Sequence, residues 1–302
     1  MRRGDRRGVA LMLALWLIIV LGVVATAITA ASHADATLTW NLRARATGRY
    51  AAESGIVVAA RQLETLAVET PSTEERARIF QDVDRHFRDW RDVAIGSGRF
   101  GIVVVDLNAR MDLNHGDAVM LRAFFAQFTD GARAERAAAV LADWIDADDL
   151  TRPGGAESRE YVAAGSPYLP RNAPLDRLDD LAHMLAVDDS LAAAVAPFVT
   201  VDGDGLVNLN SAKEPVLAAL PGVGAASARA LVARRLAGET FTALDELRSM
   251  GPAFPRLAVI PTRLLIVSRG WVAGNPLTHE IQAVYGVAGN RLFLLAWRER
   301  DL

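Results

Sequence analysis

Apolar positions are spread very unevenly along this chain. From Val9 to Ala34 no aspartate, glutamate, lysine or arginine occurs, and most side chains are aliphatic. An α-helix rises about 1.5 Å per residue, so Val9–Ala31 spans roughly 35 Å, enough to cross a bilayer core of about 30 Å. A secretory signal peptide also pairs a basic start with an apolar stretch, but that stretch is typically about 7–15 residues. This run reads instead as a retained transmembrane helix over residues 9–31. Arg2, Arg3, Arg6 and Arg7 precede it against one Asp5. That bias predicts a single-pass membrane protein with a cytoplasmic N-terminus and the remaining chain on the far side of the membrane.

No flexible linker follows the span. Residues 32–70 lack proline, are rich in Ala, Leu, Arg and Glu, and read as continued helix. Leu38, Leu42, Tyr50, Val57 and Leu63 form a partial stripe, and Pro71-Ser72 supplies the stop. Gly48 and Gly55 read as points where this helix can bend. Ser72–Trp90 is charged, helix or loop. Further along, Arg99–Leu107 holds an aliphatic run that predicts a strand, and Met111–Asn114 continues extended. Helices are expected over Asp117–Phe128, Arg133–Ile145 and Leu175–Ala196, with loop between Asp146 and Pro174. Phe198–Val201 and Leu206–Leu209 read as two strands about the Asp202–Gly205 turn. Ser211–Met250 is helical. Strands follow at Arg263–Ser268, His279–Val287 and Arg291–Arg298, the last two joined at Ala288–Asn290. Met111–Asn114 and Val207–Asn210 share an apolar-polar-Leu-Asn pattern, and Asn114 and Asn210 are suited to turns or caps.

With 51% hydrophobic residues in 302, the chain has ample core for one or two domains beyond the anchor. A net charge of −3 gives no general basic excess for nucleic acid. There are no cysteines, so stability outside the cytoplasm comes from packing or from a metal.

Gly8 followed by Val9-Ala-Leu-Met-Leu13 resembles a type IV prepilin-like cleavage and assembly segment. In most pilins and pseudopilins the fifth residue after the cut is glutamate; here it is Leu13. That departure is similar to the K class of minor pseudopilins of type II secretion systems. Ala51–Ile56, Leu141–Asp149 with Pro153–Glu157, Tyr168 and Asn172–Pro174, and Val207–Ser211 with Leu220–Gly222 resemble that family's segments in the same order. The resemblance implies an α+β fold: a long N-terminal transmembrane helix packed on a pilin-like antiparallel sheet, with a large inserted helical domain, partly helix-hairpin-helix or SAM-like. It divides the chain into a prepilin leader (1–8), the membrane (9–31) and periplasmic (32–70) parts of the helix, a sheet domain (71–113 and 251–302) and an inserted domain (114–250). It implies cleavage by a prepilin peptidase between Gly8 and Val9. It also implies a place at the tip of the periplasmic pseudopilus, initiating or capping assembly. Partners would be minor pseudopilins of the I and J classes, with the H class as a further candidate, beside the peptidase and the inner membrane.

Leu13 has a physical consequence under that reading. The family implies that each buried glutamate neutralises the terminal amine of a neighbouring subunit, and an unpaired buried charge costs several kcal/mol. A subunit with Leu13 gives no such partner to the one above it, while its own Val9 amine can be paired from below. That asymmetry suits the topmost position.

Asp143, Asp146, Asp148, Asp149, Glu157 and Glu160 crowd a loop-rich stretch broken by Pro153-Gly154-Gly155. Flexible loops with several carboxylates suit calcium, though the EF-hand spacing is absent. The family resemblance implies calcium in the inserted domain, with Asp146, Asp148, Asp149, Glu157 and Glu160 as candidate ligands. Asp202-Gly-Asp-Gly205 is better read as a turn than as a second ion site.

The segment Val216–Val232, with Phe241–Leu247 after it, resembles a helix-hairpin-helix, with Gly222 and Gly224 in the hairpin. In DNA-binding versions such amides contact a phosphate. The rival reading is therefore a membrane-anchored DNA receptor of a competence-type uptake system. Ser211–Met250 holds Lys213, Arg229, Arg234, Arg235 and Arg248 against four acids. Phosphate contacts dominate nucleic-acid affinity, so a packing or protein-binding module with no nucleic-acid partner is expected. Catalysis is not expected: the histidines (His33, His86, His115, His183, His279) are scattered, without an HExxH pair or a G-x-S-x-G elbow.

Overall fold

The fold was analysed in a computed structural model that describes residues 5–243 and 256–302. The first element, α1 (Asp5–Glu69), is a single α-helix of 65 residues. Its apolar first part is wholly exposed, and among the described residues this is the one helix long and apolar enough to cross a membrane. From Ala44 onward α1 becomes a core helix: Ala51, Ala52, Ile56, Ala59 and Leu63 are buried against a sheet.

That sheet has five strands: β1 (Val93–Ile95), β2 (Gly98–Asp106), β7 (Arg263–Trp271), β8 (Thr278–Ala288) and β9 (Arg291–Asp301). They lie in that spatial order, each antiparallel to its neighbours. Phe100, Ile102, Val104, Leu264, Ile266, Ile281 and Ala283 face α1 in one apolar core. Between α1 and β1 lie α2 (Thr73–Phe80) and a 3-10 helix, Val83–Trp90. A capping box between Ser72 and Glu75 starts α2 right after Pro71, which satisfies amides at the helix start.

Gly48 and Gly55 lie within one unbroken helix, and they are where it touches the sheet. A Cβ on Gly48 would stand 2.9 Å from the Gly270 carbonyl oxygen. One on Gly270 would stand 2.5 Å from the Ala52 nitrogen and collide with the Gly48 carbonyl. One on Gly55 would collide with Ser268 Oγ. Glycine here permits close backbone approach. At the far end of β8 and β9, ion pairs fasten the helix to the sheet. Arg49 pairs with Glu299 at 3.0 Å and Arg45 with Asp301. His279 meets both acids, at 3.1 and 2.8 Å.

Between β2 and β7 the chain builds a second core, running from Met111 to Val259. Its elements are β3 (Met111–Asp112), α3 (Ala118–Phe125), α4 (Gly131–Ile145), α5 (Ser158–Ala163), α6 (Asp189–Val195), β4 (Val199–Thr200), β5 (Val207–Asn208), α7 (Glu214–Ala218), α8 (Gly224–Leu236) and β6 (Leu257–Ala258). Asp117, Asp130 and Asp188 cap α3, α4 and α6 through their side chains. Leu175–Ala196 is not one helix. A 3-10 turn at Leu178–His183 and a break at Met184 precede α6. The last residues of the expected Ser211–Met250 helical segment, 244–250, lie outside the described residues.

The hairpin expected about Asp202–Gly205 is also corrected. β4 pairs in parallel with β3, and β5 in parallel with β6. Three Asx-Leu-Asn tripeptides explain this. In Asp106-Leu107-Asn108, Asp112-Leu113-Asn114 and Asn208-Leu209-Asn210, the first side chain accepts the amide of the third residue at 2.8, 3.0 and 3.0 Å. The third side chain then joins two distant segments. Asn114 accepts from the Leu175 amide and donates to the Leu175 and Val201 carbonyls, all within 3.0 Å. Asn210 does the same with Phe241 and Val259, within 2.8 Å. Asn108 accepts from the Thr262 and Arg263 amides and donates to Asp204 and Leu206. Two copies close the strand pairs of the insertion; the first ties the insertion to the start of β7. The repeat noted in the sequence is thus a structural one, with a third copy at Asp106.

Asp106 sits buried at this joint and accepts from Asn208 and Ser211 as well as the Asn108 amide. Its carboxyl is pushed up from 3.8 to about 6, first by burial, against the lowering effect of its hydrogen bonds. The folded state therefore holds a proton that the unfolded chain has released. This group favours folding most below pH 3.8, and its contribution fades as pH rises through about 6. In a carbon-13 titration the Asp106 carboxyl should change near pH 6; a midpoint at the ordinary value would show that its donors outweigh burial. For the helix contact, Gly270→Ala should lower stability by about 1–3 kcal/mol, the range for overpacking. Gly131→Ala, where a Cβ meets nothing within 4 Å, serves as the near-neutral control in the same thermal unfolding measurement.

Candidate functional site

Helix α4 carries Asp143 and ends at Ile145, so that Asp146 is its C-cap. Asp143 is fully buried. The loop from Asp146 turns back through Gly154, at φ 79°, and delivers Glu157 as the N-cap of α5. One carboxylate oxygen each from Asp143, Asp146 and Glu157 lies within 4.8 Å of the others. Arg152 reaches into the same place: it binds Asp143 at 2.9 Å and also Asp146, and its backbone amide donates to Asp143 at 3.2 Å. Three acids against one arginine leave the cluster negative, and the charges are mostly withdrawn from water.

Three observations fit a bound cation. Both Glu157 carboxylate oxygens and Asp146 Oδ1 are buried and have no hydrogen-bond partner; such groups are normally satisfied. Glu157 is raised from 4.5 to about 7, first by burial and then by Asp143 and Asp146. Its ionised form therefore lacks a counter-charge. Finally, any Cβ at Gly155 would collide with Asp143 Oδ2, so the loop is shaped tightly around that oxygen. Oxygen donors alone, most of them carboxylate, match a hard cation such as calcium.

The structure gathers only part of the expected ligand set. Asp146 and Glu157 are in the cluster. Asp148 accepts the Leu150 amide at 2.9 Å, which makes it a turn residue. Asp149 accepts from Asn172 Nδ2 at 3.0 Å. Glu160 is engaged at the start of α5, accepting the Glu157 amide at 3.0 Å and the Thr151 hydroxyl at 3.1 Å. Asp143 belongs to the site. Its signal was its place on the apolar face of α4 between Leu141 and Trp144: a carboxylate in a buried row needs a partner. Asn172 stands near, held at φ 50° by its own bonds to Trp144 and to the Asp148 carbonyl, with Oδ1 buried and unpartnered.

The Asp202–Gly205 turn is committed to protein contacts. Asp202 holds Arg298 through both oxygens at 2.7 and 2.9 Å. Asp204 accepts from Asn108 and Thr262 at 2.8 and 2.6 Å. His115, which meets Asp112 at 2.7 Å, is an exposed hydrogen-bonding residue.

Of the hairpin glycines, Gly222 lies between α7 and α8 and Gly224 opens α8. Gly222 and Gly224 take φ of 83° and 65°, backbone that only glycine adopts cheaply. Val216, Leu217, Leu220, Val223, Ala228 and Leu231 turn inward and join the second core. The basic residues are partly engaged there: Arg235 donates to the Leu209 carbonyl at 2.8 Å, and Arg229 pairs with Glu214 at 3.8 Å. Arg248 lies outside the described residues. At the other end of the molecule Val9 and Leu13 are exposed on α1, and the backbone at Gly8 is already helical.

Comparison with known proteins agrees with this architecture. Residues 104–203 match the first domain of type II secretion system protein K, and residues 203–251 match a helix-hairpin-helix motif. The type II secretion system protein K of Klebsiella pneumoniae is 26% identical over 223 residues, covering 68% of this chain and 65% of that protein. That of Pectobacterium carotovorum subsp. carotovorum is 30% identical over 146 residues, 46% of this chain and 44% of that protein. The chain thus matches just under two thirds of the first relative's length and less than half of the second's. Among solved structures, a chain in the GspK-GspI-GspJ complex of enterotoxigenic Escherichia coli superposes with a TM-score of 0.53 at 17% identity. That match covers 84% of this chain and 99% of the other, and it shows the same fold. The family match inside the insertion and the two relatives make this chain similar to type II secretion system protein K over those residues, and the solved complex shows that it shares the fold of that chain.

Proposed function

We propose that this chain is a non-enzymatic minor pseudopilin at the tip of the periplasmic pseudopilus of a type II secretion system, where it initiates or caps assembly. One observation carries the reading. The membrane-spanning helix continues unbroken into the core of a sheet, and that sheet is split between β2 and β7 by the domain that matches protein K. We take the insertion to run from about Met111 to Val259, the limits of its core, slightly wider than residues 114–250. The solved complex places GspK with GspI and GspJ; I- and J-class pseudopilins are the corresponding partners here. The competence-type DNA receptor is not favoured, because the hairpin buries its apolar residues in its own domain and carries few cations.

In this reading a prepilin peptidase cuts between Gly8 and Val9, and the basic leader keeps the N-terminus cytoplasmic. Leu13 then leaves the subunit without the carboxylate that would pair with a neighbour's terminal amine. Calcium would be held by Asp143, Asp146 and Glu157, supplying the positive charge that these buried acids lack. Its role would be structural, fixing the α4–α5 loop.

Co-expression with a prepilin peptidase should yield a mature chain that begins at Val9 and does not form filaments alone, by N-terminal sequencing and electron microscopy. A different start, or homopolymers, would overturn the tip assignment. Calcium should raise the thermal unfolding midpoint of the full chain in detergent, because it binds the folded state. Glu157→Gln should abolish that response yet stabilise the calcium-free protein above pH 7, since the wild-type carboxyl titrates at about 7 and is disfavoured as an anion. An unchanged calcium response in both Glu157→Gln and Asp143→Asn would remove the site.

A further inference from the structure

A cleft of about 280 Å³ lies on the sheet face opposite α1, where the insertion meets the strands. Its floor is the outer side of the sheet, with Leu265 from β7 and Arg298 from β9; its walls come from the insertion, with Leu107, Arg110, Leu178 and Val201. The lining mixes aliphatic side chains with arginines and acids.

The arginines differ in one respect. Arg298 forks onto Asp202, Arg177 pairs with Asp179 at 2.6 Å, and Arg300 pairs with Glu280 at 2.6 Å. Arg110 has no carboxylate among the described residues. Among the described residues its guanidinium makes one hydrogen bond, a long one of 3.5 Å to the Val199 carbonyl. Burial pushes its guanidinium down from the ordinary arginine value, which is the direction expected for a cation short of counter-charge. A guanidinium drawn out of water without an anion is unfavourable, and its planar fork matches a carboxylate in two hydrogen bonds.

We infer that this cleft binds a single carboxylate carried on a small apolar body, with Arg110 taking the carboxylate and Leu107, Leu178, Val201 and Leu265 the body. The acids on its rim argue for one negative charge, not two. Asp176, Asp179 and Asp202 are held by arginines but still repel a dianion such as phosphate. The volume suits a ligand the size of one amino-acid residue. The chain end of a polypeptide with an apolar last residue and a free short branched acid share this chemistry. The site does not depend on where in a fibre the chain sits.

The test is a titration of the full chain in detergent, following the Arg110 Nε–Hε signal by NMR and heat by calorimetry. The probes are N-acetyl-leucine, its uncharged amide, isovalerate and inorganic phosphate. N-acetyl-leucine should move the Arg110 signal saturably. The amide should bind at least about tenfold more weakly, the scale of one lost charged hydrogen bond. Arg110→Gln should lose affinity by a similar factor. Isovalerate binding as well as N-acetyl-leucine would assign a free acid; binding of N-acetyl-leucine alone would assign a chain end. Phosphate should not compete. An unmoved Arg110 signal, equal binding of acid and amide, or competition by phosphate overturns the inference. The wild-type comparisons decide it even where Arg110→Gln fails to fold.

Discussion

The contact between α1 and β7 governs this molecule. Gly48 and Gly270 let a helix backbone rest on a strand backbone, with Gly55 against Ser268 one step further along. Helix and sheet then close one apolar core, and Arg45 and Arg49 lock the far end of β9 to the same helix face. A helix that enters a core in this way cannot act as a detachable tether. Whatever holds its N-terminal half, lipid or neighbouring helices, therefore fixes the sheet and, through it, the insertion.

The insertion depends on a second device, the Asx-Leu-Asn tripeptide. A side-chain carboxamide that donates twice and accepts once can satisfy three backbone groups that a short strand leaves open. Asn114 and Asn210 do this at the bottom of each half of the insertion, and Asn108, accepting from two amides and donating to one carbonyl, joins three backbone groups between insertion and sheet. Asp106 links the first copy to the third through Asn208. Two-residue strands are weak by themselves; here each is cross-linked by an asparagine, which explains how so little sheet holds two helical units together.

Much of this was legible from residue pattern alone. The 9–31 span, its unbroken continuation to the Pro71 stop and the strands now called β2, β7, β8 and β9 follow from apolar periodicity and from breakers. The misread places share a cause: they are decided by partners far away in sequence. Gly48 looks like a bend until Gly270 lies against it. Val199–Thr200 and Val207–Asn208 look like a hairpin because they flank a Gly-Asp-Gly turn, yet each is claimed by a parallel partner that the tripeptides bring in. The acidic loop is a separate case: Asp148 and Glu160 accept nearby amides, from Leu150 and Glu157, and Asp149 accepts from the Asn172 side chain. Asp143 shows the converse. Its position in an apolar row marks it as buried, and a buried carboxylate needs a counter-charge, hydrogen-bond donors or a retained proton.

The acidic loop and the leader then present the same electrostatic question with opposite answers. In the loop, Glu157 and Asp146 hold buried oxygens with no partner, against one arginine that serves Asp143 and Asp146. There the fold has an excess of negative charge and calls for a cation from outside. In the proposed reading the membrane helix has the reverse condition, an amine at Val9 and no acid at Leu13, and calls for a carboxylate from another subunit. Burial makes each deficit costly, so each selects its complement more sharply than an exposed charge would. In that reading the first deficit would be met by an ion wherever the chain stands, and the second only by a subunit below, with nothing offered to one above, so that a single leucine would set a direction of growth.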